Sequence, residues 1–122
     1  MRYAEILLVG NLKRFQKRLL ESEGSDCFRF DLIENSLNAA EYLKYIPKPA
    51  LIILNVDGPE IDEIVFRNLQ SLGDETSRIP LILFSDRKGV SSLALRLEAE
   101  YTIGNETPIE LVIAILRGTV PI

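Results

Sequence analysis

Five short apolar runs, separated by longer stretches with helical spacing, govern what this chain can fold into. The runs Glu5–Val9, Phe28–Ile33, Leu51–Leu54, Leu81–Phe84 and Tyr101–Ile103 read as strands. Three of them are continuously apolar, the pattern of strands covered on both faces by helices rather than half exposed to water. Regular strand–helix alternation calls for parallel strands joined by crossover helices, with helices on both faces of one sheet. The expectation is therefore an α/β fold.

The helical stretches carry their own punctuation. Asn11 is a candidate cap for a first helix with Leu12, Phe15, Leu19 and Leu20 on its apolar face, ending near Gly24. Asn35 or Ser36 opens a second, with Leu37, Ala40, Leu43 and Tyr45 or Ile46 inward, and Pro47 stops it. A third spans about Glu60 to Leu72, with Ile61, Ile64, Val65, Leu69 and Leu72 at i, i+3, i+4 spacing. A short fourth lies around Val90–Glu98. The last opens on Thr107-Pro108-Ile109-Glu110, read as a capping box with proline in the first helical position. Leu111, Ile113 or Ala114, and Ile115 would face inward before Arg117-Gly118.

Composition narrows the chemistry. The chain has 122 residues, 47% of them hydrophobic, enough to bury a core as one domain over 1–122. No repeat or linker is visible, although 119–122 reads equally as a terminus or as the start of a linker. No apolar run approaches the roughly 20 residues of a membrane span. The first strand-like run has no signal-peptide pattern ahead of it, and the single cysteine, Cys27, precludes an internal disulfide; both fit a cytoplasmic protein. A net charge of −4 disfavours nucleic acid as a partner. With no histidine and one cysteine, zinc sites and a Ser-His-Asp triad are out of reach. Only a carboxylate site for a hard cation stays open.

Four separated segments carry a family resemblance. They are Ile6-Leu7-Leu8-Val9-Gly10-Asn11, Leu54-Asn55-Val56-Asp57-Gly58-Pro59-Glu60-Ile61-Asp62, Ile79-Pro80-Leu81-Ile82-Leu83-Phe84-Ser85, and Tyr101-Thr102-Ile103-Gly104. In this order and spacing the chain resembles, over almost its whole length, the receiver domain of bacterial response regulators. The resemblance implies a flavodoxin-like, doubly wound sheet of five parallel strands in the order 2-1-3-4-5. The stretch from Ser85 to Tyr101 is short for the family.

The resemblance also marks departures. Receivers carry a nucleophilic aspartate at the position matched by Asn55, whose neutral carboxamide is a poor phosphoryl acceptor. They place an acidic pair, which holds Mg²⁺, where this chain has Gly10 and Asn11, and a lysine where it has Gly104. Acceptor, metal ligands and cation are thus replaced together. What the resemblance then implies is a pseudo-receiver in bacterial signalling, neither enzyme nor metal protein, that needs no cofactor and binds another protein.

Ser85 and Tyr101 match the hydroxyl and aromatic positions that couple phosphorylation to a partner surface in the family. The candidate interaction face is therefore Tyr101, Thr102 and Glu106 with the flanking fourth and fifth helices, for a protein partner or a second copy of the chain. The bland alternatives are a serine satisfying its own backbone and an aromatic covering an edge strand. Asp57 and Asp62 read as a loop acid and a helix cap, or else Asp57 is a substitute acceptor with Asp62 and Asp86 beside it. Lys13, Arg14, Lys17 and Arg18 share one side of the first helix, as a solvated face or an acidic-partner patch. Cys27 reads as a small buried hydrophobe. Two further alternatives are a receiver with a non-standard acceptor and a small-ligand domain using the crevice at the strands' carboxyl ends.

Overall fold

A computed structural model describes residues 3–34, 49–57, 79–87 and 90–120. The helices expected over 35–46 and 60–72, with the Asp62 cap, lie outside the described residues. Five strands form one parallel sheet: β1 Ala4–Val9, β2 Phe28–Ile33, β3 Leu51–Asn55, β4 Leu81–Phe84 and β5 Tyr101–Ile103. Their spatial order is β2-β1-β3-β4-β5, the doubly wound order implied by the resemblance. Three α-helices are described: α1 Lys13–Glu21, α2 Ser91–Arg96 and α3 Ile109–Thr119. A 3₁₀ turn, Ser25–Cys27, leads into β2.

The two-residue period of the strands sorts the apolar side chains onto two faces. Ile6 and Leu8 of β1, Leu51 and Ile53 of β3, and Ile82 and Phe84 of β4 meet Phe15 and Leu19 of α1 and Val112, Ile113 and Leu116 of α3. The alternate residues Leu7, Val9, Ile52, Leu54 and Leu83 form a second cluster with Leu93 and Ala94 of α2. This is why β1 and β3 read as unbroken apolar runs: both of their faces are buried. At the edge, β2 alternates buried Phe28 and Phe30 with exposed Arg29, as an edge strand exposed to water should.

Several local expectations are corrected. Asn11 does not cap α1; Leu12 takes that position, without a side-chain cap, and is buried. Its N–H donates to the Gly10 carbonyl, and its own carbonyl receives Gln16 N–H, so a tight turn carries an apolar side chain into the core where a polar cap was expected. Leu20 is 59% exposed, because the apolar stripe follows Phe15 and Leu19. At α3, Pro108 rather than Thr107 is the capping residue, with extended backbone. The helix thus starts one residue later than its motif suggested, and its buried stripe is Val112, Ile113 and Leu116. Leu111 is 51% exposed, Ala114 is exposed, and Ile115 is half-buried. Cys27 is only half-buried, in the 3₁₀ turn, with partial packing against the core.

The short span before β5 closes economically. After α2, Glu98 adopts φ 55°, and Ala99 N–H reaches back to the Ala94 carbonyl, ending the helix in one turn. The strand register then gathers the chain's carboxyl-end loops. Val9 lies opposite both Ile33 and Leu54, Asn55 opposite Phe84, and Phe84 opposite Ile103. Gly10, Asn55, Ser85 and Gly104 consequently emerge at one end of the sheet.

Candidate functional site

Gly10 follows the last residue of β1 at φ +101°, held by its N–H donating to Ile33 O at 2.8 Å. A Cβ built there would lie 3.0 Å from the Asn55 Cβ. Both backbone sign and space favour glycine at this turn. The acidic residue that the resemblance places here in receivers would be strained in this backbone.

Asn55 is committed by both ends of its carboxamide. Nδ2 donates to the Asn11 carbonyl at 3.0 Å, and Oδ1 accepts the Asp57 N–H at 2.9 Å. The second bond shapes the loop after β3 so that Asp57 points toward the loop after β4. There its carboxylate accepts the Ser85 hydroxyl through Oδ1 and the Asp86 N–H through Oδ2, the latter at 2.8 Å. Arg87 joins from the same loop, its Nε 3.4 Å from Asp57 Oδ1 and its Nη2 donating to the Val56 carbonyl at 2.6 Å. Ser85 is buried, and its Oγ accepts the Arg87 N–H at 3.0 Å.

The network continues to the last strand. Asp86 Oδ1 accepts Asn105 N–H at 2.8 Å, and Oδ2 accepts Asn105 Nδ2 at 2.5 Å. Gly104 donates its N–H to Thr107 Oγ1 at 3.0 Å, which employs the hydroxyl the capping box had assigned to α3. A Cβ at Gly104 would meet Asp86 Oδ1 at 2.5 Å and the Ser85 carbonyl oxygen at 2.7 Å. The space through which a side chain at position 104 would leave the backbone is already filled.

The five positions singled out from sequence, Gly10, Asn11, Asn55, Ser85 and Gly104, do converge. The sequence reading placed Asp86 beside Asp57 but not the bonds that join the site: Asp57 is its hub, and Arg87, not singled out from sequence, is its ion-pair partner. The sequence did contain an acid and a base in two candidate strand-end loops. Only the β3–β4 register makes those loops neighbours. Ser85 partly satisfies local backbone, as the bland alternative held, but its proton goes across to Asp57.

Mg²⁺ seeks hard oxygens, usually one or two carboxylates among them. Here the groups at the matching positions are two carboxamides and a glycine, and Asn55 spends both its polar ends inside the protein. The rim carboxylates, Asp57 and Asp86, are held by Ser85, Arg87 and Asn105. Among the described residues, no group of three histidine, cysteine, aspartate or glutamate side chains could hold a metal. The described residues at these strand ends do not fit the ion.

The basic side of α1 divides. Arg18 turns to the loop before α3, donating to the Asn105 and Thr107 carbonyls at 3.3 and 3.5 Å, whereas Lys13, Arg14 and Lys17 are exposed. Tyr101, Thr102 and Glu106 are also exposed, Tyr101 by 47%. The neighbouring elements add Leu95 of α2, 80% exposed, and Leu111 of α3. Sequence reasoning had singled out neither leucine as a surface group.

No protein-family model matches the chain, and no curated protein matches it in sequence. Similarity is found among solved structures. The receiver domain of a sensor histidine kinase from Pseudomonas aeruginosa PAO1 superposes with a TM-score of 0.76 at 17% identity, over 96% of this chain and 97% of that one. That neighbour coordinates a magnesium ion in its active site cleft. The signal receiver domain of a signal transduction histidine kinase from Syntrophus aciditrophicus gives 0.72 at 21% identity, over 95% and 89%. A structure described as an adenylate cyclase from Rhodopirellula baltica gives 0.77 at 12%, over 96% and 87%. Identities this low speak for architecture alone. With the sheet order and the strand-end geometry, they establish that this chain has the response-regulator receiver fold.

Proposed function

We propose that the chain is a pseudo-receiver, a protein-interaction module of a bacterial signalling pathway that works without accepting a phosphoryl group. The observation that supports this most is the filled space at Gly104, where Asp86 and the Ser85 carbonyl stand in the path of any side chain. A receiver that had merely lost its lysine would leave room for one. Here the surrounding loops are built around its absence. Asn55 and Gly10 fit the same reading, since an amide is no nucleophile and the Gly10 turn disfavours an acid. Asp57 makes a poor substitute acceptor, because both of its oxygens already hold hydrogen bonds.

The face formed by α2, β5 and α3 is the proposed partner surface, centred on Tyr101. Each of its elements exposes a large apolar side chain: Leu95, Tyr101 and Leu111. Exposed apolar and aromatic groups of this kind supply interface anchors. A second copy of the chain is an alternative occupant, read from the sedimentation of the purified protein.

Affinity capture from the source organism, with wild-type and Tyr101→Ala baits, tests the reading. The expected result is a specific protein retained equally with and without acetyl phosphate and Mg²⁺, and lost with the variant. Capture that requires the phosphodonor, or that ignores Tyr101, contradicts it.

A further inference from the structure

An open crevice of about 950 Å³ runs between the opening of α1 and the strand-end loops. Asn11, Asn55 and Asn105 line it on the sheet side, and Lys13, Arg14 and Lys17 along α1. We propose that this crevice binds a phosphate-bearing small molecule of nucleotide size, noncovalently and without a metal ion.

Charge carries the inference. The whole chain is acidic, at −4, so a cationic groove is a local feature and not a reflection of composition. Among the described residues, Lys13, Arg14 and Lys17 make no ion pair or side-chain hydrogen bond, whereas Arg18 beside them is spent on two carbonyls. Two carboxylates, Asp57 and Asp86, also line the crevice and would repel an anion. Asp57 is compensated by the Arg87 guanidinium and also accepts from the Ser85 hydroxyl and the Asp86 N–H, while Asp86 accepts two N–H groups of Asn105. The three cations thus share the crevice with two acids whose carboxylate oxygens each already accept a hydrogen bond.

Shape and place favour a small molecule over a peptide. The crevice lies at the carboxyl ends of β1 and β3, the adjacent strands between which the winding reverses, and doubly wound sheets hold small ligands at such a switch point. Its volume falls in the range of roughly 300–1,000 Å³ typical of ligand pockets. The exposed carboxamide of Asn11 and the side-chain oxygen of Asn105 supply neutral hydrogen-bonding groups for the uncharged part of the ligand.

The test is a titration of isotope-labelled protein, followed by amide chemical shifts, in buffer containing EDTA. The probes are adenosine diphosphate, pyrophosphate, adenosine and a glutamate-rich octapeptide. Adenosine diphosphate and pyrophosphate should shift the amides of Lys13, Arg14, Asn55 and Asn105, and adenosine should not. The exposed-side-chain variant K13Q/R14Q/K17Q, whose fold its own spectrum verifies, should bind adenosine diphosphate roughly tenfold more weakly. Added salt should weaken the wild type likewise. No shift with millimolar adenosine diphosphate, or shifts unchanged in the variant, overturns the proposal. So does the peptide moving the same amides at lower concentration than the nucleotide, which would assign the groove to an acidic protein segment. Intact mass of the same samples reads covalent transfer separately, so this proposal and the pseudo-receiver reading can fail independently.

Discussion

Gly104→Ala places one methyl group where the structure has no room for it. Its carbon would stand 2.5 Å from Asp86 Oδ1 and 2.7 Å from the Ser85 carbonyl oxygen, both well inside van der Waals contact. The two contacts differ in how they can yield. The Asp86 carboxylate can rotate, but only by giving up its hydrogen bonds to Asn105. The Ser85 carbonyl belongs to backbone fixed by Ser85 N–H donating to Ile103 O at 2.8 Å, so it moves only with the β4–β5 pairing. Overpacking of this kind costs about 1–3 kcal/mol. With a urea slope of roughly 1–3 kcal/mol per molar for a small domain, the midpoint should fall by about 1 M. Asp86→Ala in the same background removes the movable contact and leaves the carbonyl, so the double variant should be more stable than additivity predicts, by about 0.5 kcal/mol or more. An unchanged midpoint for Gly104→Ala would refute the reasoning, because it would mean that the site can admit a side chain at little cost.

Other perturbations follow from the same geometry. Gly10→Asp should lower stability by about 1–3 kcal/mol from the positive φ and the approach to Asn55, seen in a urea melt, without creating a Mg²⁺-dependent rise in midpoint. Asp57→Ala strips an acceptor from the buried Ser85 hydroxyl and from the Asp86 N–H, and should cost about 1–3 kcal/mol in the same assay. Adjacent leucines on α1 should behave oppositely: Leu19→Ala, fully buried, should lose about 2–5 kcal/mol, while exposed Leu20→Ala should stay within about 0.5 kcal/mol of wild type.

The fold was legible because its strongest signal is physical and local. Leu51-Ile52-Ile53-Leu54 has no polar alternation, and only a strand between two helical layers buries all four. Helix faces were less legible at their ends. Leu111 and Leu20 are as apolar as their buried neighbours, and only the exact start of each helix decides which way they turn. Proline at position 108 signalled an opening without fixing whether it stands inside or just outside the first turn. The site was legible by position and not by bonding. Gly10, Asn55, Ser85 and Gly104 stand where each strand stops, but the Asp57–Arg87 pair needs the β3–β4 register to bring two loops together. The filled space at Gly104 depends on the Ser85 carbonyl, set by the β4–β5 pairing, and on a side-chain rotamer of Asp86, neither of which a local pattern in the chain encodes.

Intact-mass spectrometry after incubation with acetyl phosphate and Mg²⁺ addresses the central claim most directly. The account predicts a single species at the unmodified mass, with Asn55 and Asp57 untouched after proteolytic mapping. A species heavier by one phosphoryl group and labile to hydroxylamine, mapped to Asp57 or to any other acid at these strand ends, would contradict it.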